Sequence, residues 1–167
     1  MDSETLRAAQ APIKARYRDD AASALFTLKA EGTLGEEGLT CKVATGKGLV
    51  EAGLHPATGG AGLAACSGDM LLEALVACAG VTLRAVATAL AIPVRGGTVR
   101  AEGDLDFRGT LAISKEVPVG FRAIRLSFDL ETDASEEQKA TLLKLTESYC
   151  VIYQTIRSAP EMTAAID

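Results

Sequence analysis

Four cysteines, at positions 41, 66, 78 and 150, and a single histidine, His55, are the residues of this sequence best suited to chemistry. No two of the cysteines form a C-x-x-C pair. Structural zinc usually asks for close, paired ligands, so neither a metal nor another cofactor is expected. Thiols offer two other uses. A thiolate can attack an electrophilic oxygen or sulfur, and a second thiol can then close a disulfide. The plain alternative is packing, because free cysteine is among the residue types most often buried. Which use applies depends on the elements that hold each thiol.

Cys78 lies in the middle of the longest apolar run, Ser67 to Ala91. Ser67 can cap a helix, Asp69 then complements the dipole in the first turn, and Pro93 ends it. A helix apolar around most of its circumference should be buried on several sides. Leu71, Leu75, Val81, Thr82 and Ala85 stand at helical spacings from Cys78, which places the thiol inward. The run is long enough to cross a bilayer, but Glu73 and Arg84 lie inside it and charges at that depth are costly. It reads as the core helix of a soluble cytoplasmic protein, with Arg84 as a surface or dimer-contact charge and no membrane partner.

Cys150 belongs to a second helical region. Ser135-Glu-Glu-Gln138 has capping-box spacing, and Ala140, Leu142, Leu143 and Leu145 follow at helical intervals to Glu147. Residues 148–156 either continue this helix or restart as a second one; in a restart Ser148 is positioned as the cap with Cys150 in the first turn, where the dipole lowers a thiol pKa. Glu147 is either a pocket acid or a solvated helix-end residue. Cys41 falls on a strand and Cys66 just before the long helix; neither is expected to be redox-active. His55 opens the glycine-rich loop His55-Pro-Ala-Thr-Gly-Gly-Ala-Gly62, which lacks the Gly-Lys-Ser/Thr ending of a phosphate loop. Its expected task is to bring backbone and His55 close to a pocket.

The remaining elements are strands. Residues 25–32 alternate, 34–38 form a turn, and 39–43 return as a hairpin partner. A short strand is expected near 48–51, another over 96–107 with a turn or bulge at Arg108, and the clearest over 119–130. There Ile124, Leu126, Phe128 and Leu130 alternate with Arg125, Ser127 and Asp129. Strands segregated from helices predict an α+β fold of antiparallel sheets with a long buried central helix. The 167 residues suit a domain over 25–167 preceded by an N-terminal arm over 1–24. With 48% hydrophobic and 23% charged residues the chain should form a core. A net charge of −5, 4% aromatic content and no basic cluster argue against nucleic acid. Met1-Asp-Ser-Glu4 has neither a basic nor an apolar leader region, so no secretory signal is expected.

Ser67-Gly-Asp-Met-Leu-Leu-Glu-Ala-Leu-Val-Ala-Cys78 and Leu142-Leu-Lys-Leu-Thr-Glu-Ser-Tyr-Cys150 together resemble the OsmC/Ohr family, the osmotically inducible and organic-hydroperoxide-resistance proteins. The order of elements over residues 25–158 fits as well. The resemblance implies an OsmC-like fold built as an intertwined homodimer with two interface sites. It also implies thiol peroxidase chemistry. Cys78 would be oxidised by an organic hydroperoxide, Cys150 would resolve the sulfenic acid, and a small or protein dithiol would reduce the disulfide. An apolar wall of Leu71, Leu75 and Val81 would favour greasy peroxides. In peroxidase members an Arg near the first hairpin activates the thiolate and is held by an acidic residue at the start of the central helix. Asp69 stands at that acidic position, and Arg16, Arg18 and Lys29 are the nearest basic residues in sequence. The alternative is a non-enzymatic member that binds a small apolar ligand at the dimer interface.

Overall fold

The computed structural model describes residues 48–166 throughout, the strands at 31–34 and 40–45 by their backbone, and residues 2–5, 8, 10, 11, 15 and 19 near the start. The chain divides into two compact units, one of residues 1–18, 74–100 and 126–167, the other of 19–73 and 101–125. The expected arm boundary at 24/25 and the first six residues, 25–30, of the strand expected over 25–32 lie outside the described residues. So do Arg16, Arg18 and Lys29.

The second unit carries a four-stranded sheet in chain order: β1 (Glu31–Leu34), β2 (Thr40–Thr45), β3 (Gly48–Gly53) and β4 (Ala65–Cys66). The first three are antiparallel, with Leu34 opposite Cys41 and Cys41 opposite Ala52. β4 pairs parallel to β3, with Cys66 opposite Gly53. This departs from an all-antiparallel expectation, and the reason is the glycine-rich connection. After β3 the chain makes a 3-10 turn over Pro56–Thr58 capped by His55, whose Nδ1 accepts the Ala57 N–H at 3.1 Å. Gly59 follows in the left-handed region at φ 93°. Gly60 then passes so close to Leu54 that a Cβ would stand 1.7 Å from the Leu54 carbonyl oxygen. Only glycines can fold the loop back this tightly, and the return brings β4 in alongside β3 in the same direction.

From β4 the chain enters α1 (Ser67–Ala89), with Ser67 as its first helical residue rather than a cap preceding it. Its buried residues are Leu75, Ala79, Leu83 and Ala87, one stripe at i, i+4 spacing. Leu71 and Val81 are exposed, Val81 by 73%. The expectation of a helix buried on several sides is thus corrected: within the described structure one stripe is fully buried, while Glu73, Ala74, Ala77 and Val81 on the other side are exposed. α1 is also, among the described residues, the helix long and apolar enough to cross a bilayer by length and composition. Glu73 and Arg84 both lie on its exposed sides.

The helix stops before Pro93. Ile92 N–H bonds to Ala87 C=O at 2.9 Å and Ala91 N–H to Thr88 C=O at 3.2 Å, with Ala91 at φ 54°. This is a Schellman closure with alanine where glycine is usual. Arg84 ties the exit down by donating to the Val94 and Arg95 carbonyls, so it is a staple within the chain.

β5 (Gly96–Asp104) and β6 (Ala123–Glu131) form a two-stranded sheet. Arg95 N–H bonds to Glu131 C=O at one end and Arg122 N–H to Asp104 C=O at the other, which makes the pair antiparallel. Between them, α2 (Phe107–Thr110) is a single turn at the expected break, capped by Asp106. The Arg108 guanidinium beside Asp106 holds that carboxyl down at about 2. Along β6 Ile124, Leu126, Phe128 and Leu130 are half-buried while the alternate residues are exposed, as their spacing predicts.

α3 (Glu136–Tyr149) starts on the full Ser135–Gln138 capping box, and α4 (Val151–Arg157) follows after one residue. The first unit's core joins Leu83 and Ala87 of α1 to Leu142 of α3, with Val86, Val94, Phe128 and Leu130 packed around them. A left-handed Ala91 costs more than a left-handed glycine would. Ala91→Gly is therefore expected to stabilise the protein by about 1 kcal/mol, read as a higher urea midpoint; an unchanged or lower midpoint would contradict the closure.

Candidate active site at Cys78 and Cys150

Cys150 occupies the single residue between α3 and α4. Its φ of −73° and ψ of 109° are extended, its N–H still closes α3 on Thr146 C=O, and its own C=O accepts the Gln154 N–H of α4. Cys150 is thus the C-cap of one helix and the N-cap of the next. The expectation that Ser148 caps α4 is corrected here. The Ser148 hydroxyl is spent on the Lys144 carbonyl one turn back, and the helix does not break until two residues later. Gln154 secures the corner from the other side by donating Nε2–H to the Glu147 carbonyl. Glu147 is half-buried at this corner, and its contribution is that backbone acceptor. Thr146, wholly buried, satisfies its hydroxyl on Leu142 C=O at 2.7 Å. These bonds hold the Cys150 side chain at 0% exposure.

Cys78 flanks the buried stripe of α1 and is half-buried. Burial pushes its thiol up, but several donors more than reverse this. The Ile152 N–H at the start of α4, the Cys150 thiol, the Thr82 hydroxyl and the Val151 N–H all favour its thiolate, and Cys78 lies below the ordinary thiol value. Cys150 goes the other way. Burial raises it, the Tyr153 and Ile152 amides oppose that only in part, and the Cys78 charge adds to the rise. Both are free thiols, and each shifts the titration of the other. An adjacent pair whose environments drive their pKa values apart separates the roles of charged attacker and neutral donor.

The groups that lower Cys78 are neutral: two backbone amides, a thiol and a hydroxyl. Thr82 was legible in the sequence only as an inward neighbour. Its spacing, four residues after Cys78, is the signal that would have marked it, since residues i and i+4 share a helix face. The amides of Val151 and Ile152 carry no sequence signal of their own.

Asp69 does not join this pair. It lies nine residues earlier on α1, about 13 Å along the axis and about half a turn round, so it points from the opposite face. It lines a separate cavity with His55, Cys66, Phe107 and Phe121. His55 stacks on Phe107 with ring centroids 5.0 Å apart. Cys66 is a free, half-buried thiol there. Cys41 sits on β2, and its side chain is outside the described residues. No group of three or more metal-ligating side chains occurs among the described residues.

A family model described as OsmC-like protein matches residues 59–165. No curated protein sequence matches the chain significantly. Among solved structures, an OsmC-like protein from Mycoplasma pneumoniae superposes with a TM-score of 0.67 at 16% identity, covering 80% of this chain and 89% of that one. An organic hydroperoxide resistance protein from Elizabethkingia anophelis gives 0.65 at 19% identity, over 81% and 91%. An organic hydroperoxide resistance protein OsmC from Legionella pneumophila gives 0.63 at 18%, over 80% and 91%. At these identities the likeness is one of fold.

The opposed thiol shifts set a pH test. A depressed pKa keeps the thiolate populated to lower pH, so iodoacetamide labelling of Cys78 should rise with pH through a midpoint below that of an ordinary thiol. Removing a donor with Thr82→Val or Cys150→Ala should move that midpoint upward. In Cys78→Ser, Cys150 should label slowly and only at higher pH. Midpoints that do not move in these variants would refute the assignment of donors.

Proposed function

Since this chain belongs to the OsmC-like family and its two apposed thiols differ as an attacking and a resolving thiol must, we propose that it is a thiol-dependent peroxidase that reduces organic hydroperoxides. The observation that carries this reading is the mutual, opposed shift of a depressed Cys78 and a raised, fully buried Cys150. The names of the Legionella and Elizabethkingia proteins, organic hydroperoxide resistance proteins of the same fold, support it.

In the first step the Cys78 thiolate attacks the terminal oxygen of R–O–O–H. A sulfur–oxygen bond forms, the O–O bond breaks, and the alkoxide takes a proton to leave as alcohol, with Cys78 oxidised to sulfenic acid. The sulfur of Cys150 then bonds to that of Cys78 and the sulfenic hydroxyl departs as water, carrying the Cys150 proton. A dithiol reductant completes the cycle by two exchanges: its disulfide forms as both protein thiols are restored. The raised pKa of Cys150 keeps it a protonated donor to the Cys78 thiolate in the resting state, and the α4 amides stabilise negative charge on the Cys78 sulfur. Among the described residues the groups that favour the Cys78 thiolate are these neutral donors.

The exposed apolar side of α1, with Ala74, Ala77 and Val81, together with exposed Tyr149 and Val151, supports a homodimer. Apolar surface next to the half-buried Cys78 also favours peroxides with a hydrocarbon body over hydrogen peroxide. We place the protein in the cytoplasm, where its thiols stay reduced between turnovers. A groove of about 420 Å³ lined by Leu83, Leu126, Phe128, Leu130, Leu142 and Leu143 supports the second reading, a carrier of small apolar ligands without catalysis.

Two measurements decide. Reduced protein mixed with cumene hydroperoxide should consume it and form a Cys78–Cys150 disulfide by mass spectrometry, with neither event in Cys78→Ser and peroxide consumption without that disulfide in Cys150→Ser. Unconsumed peroxide and free thiols would leave the carrier reading. Sedimentation should give a dimer that Val81→Arg dissociates; a wild-type monomer would remove the homodimer.

A further inference from the structure

The glycine-rich loop, Cys66 and Asp69 take no part in the thiol cycle, and all three meet at one cavity of about 360 Å³. It lies wholly within the second unit, and its size is that of a small-molecule pocket. Phe107, Phe121 and Leu105 supply its apolar walls. The capped turn at Pro56–Thr58 fixes His55 at the edge, stacked against Phe107. Because Nδ1 already accepts the Ala57 N–H, the neutral imidazole carries its proton on Nε2, where it is a donor. Phe121 can lie over β5 only because residue 103 is glycine; a Cβ there would stand 2.4 Å from the ring.

Charge selects the ligand. Two carboxylates, Asp69 and Asp104, line the cavity, and no lysine or arginine among the described residues does. Asp104 is matched by a bidentate Arg125. Asp69 has neither an ion-pair nor a hydrogen-bond partner among the described residues. The start of α1 contributes about half a positive charge, which offsets Asp69 only in part. The described lining therefore carries a net negative charge beside two aromatic rings, a combination that favours a cation through both the carboxylate and the ring faces. We propose that this cavity binds a small organic cation with a flat apolar body, an arylalkylamine in chemical class. The ammonium pairs with Asp69, the ring packs on Phe121 and Phe107, and an acceptor on the ligand meets His55 Nε2–H.

Cys66 in the cavity wall is a built-in reporter. In the full-length reduced protein, tyramine at millimolar concentration should slow iodoacetamide labelling of Cys66 about fivefold or more, with Cys78 labelled at its usual rate. 3-(4-Hydroxyphenyl)propionate, which keeps the ring and reverses the charge, should not protect. By calorimetry Asp69→Asn should weaken tyramine about tenfold or more, with unchanged circular dichroism. Cys78→Ser should bind tyramine as the wild type does, which keeps this site independent of the peroxidase reading. Equal protection by the amine and the carboxylate, or protection by neither, would overturn the proposal, and this comparison holds even where the Asp69 variant fails to fold.

Discussion

The corner at Cys150 is the constraint on which the thiol site depends. One residue leaves helical geometry, and that residue closes α3 with its N–H, opens α4 with its C=O and buries its side chain completely. Had the helix run on through 150, the amides of Val151 and Ile152 would be spent on carbonyls one turn back. Because it breaks, they are among the orphan donors of a new helix start and are free to act on the nearby Cys78 sulfur. The same break puts Cys150 between two helices and away from water, which raises its own pKa. One backbone event thus produces both halves of the asymmetry.

Neutral donors differ physically from an arginine. An arginine next to a thiolate acts through a full charge and is sensitive to salt and to the position of its loop. Backbone amides are fixed by the helix they begin and act at short range. In this chain the donors to Cys78 come from α4, from Cys150 and from Thr82 on α1 itself. Each is held by packing: Thr82 by the helix, Cys150 by burial, the amides by the Gln154 tie to Glu147. Among the described residues, the groups that lower the Cys78 pKa all belong to the first unit.

The second unit uses backbone in a different way. There the glycine-rich segment makes no phosphate cradle. It reverses the chain tightly enough for β4 to pair with β3, delivers the start of α1, and stacks His55 on Phe107. A loop that is polar and small in sequence becomes one wall of an aromatic, acidic cavity.

The elements were largely legible in the sequence: the capping box at Ser135, the alternation along β6 and the long apolar run each encode a local periodicity or cap that needs no tertiary partner. The pair Cys78 and Cys150 was legible through its setting on two helices and its family resemblance. Local pattern could not supply three things. It placed the helix break at Ser148, because either Ser148 or Cys150 can start a helix and only the packing of Thr146 and Cys150 into the core chooses between them. The family resemblance put Asp69 at the thiol site, though nine residues of helix turn that carboxylate to the opposite face. Local pattern buried α1 on several sides, because apolar composition tells how much surface is available for burial and not which neighbours arrive to cover it. Sequence by itself determined the α+β elements and the two thiols. The tertiary structure decided which donors reach Cys78, since all of them but Thr82 lie some seventy residues away and only packing brings them to its sulfur.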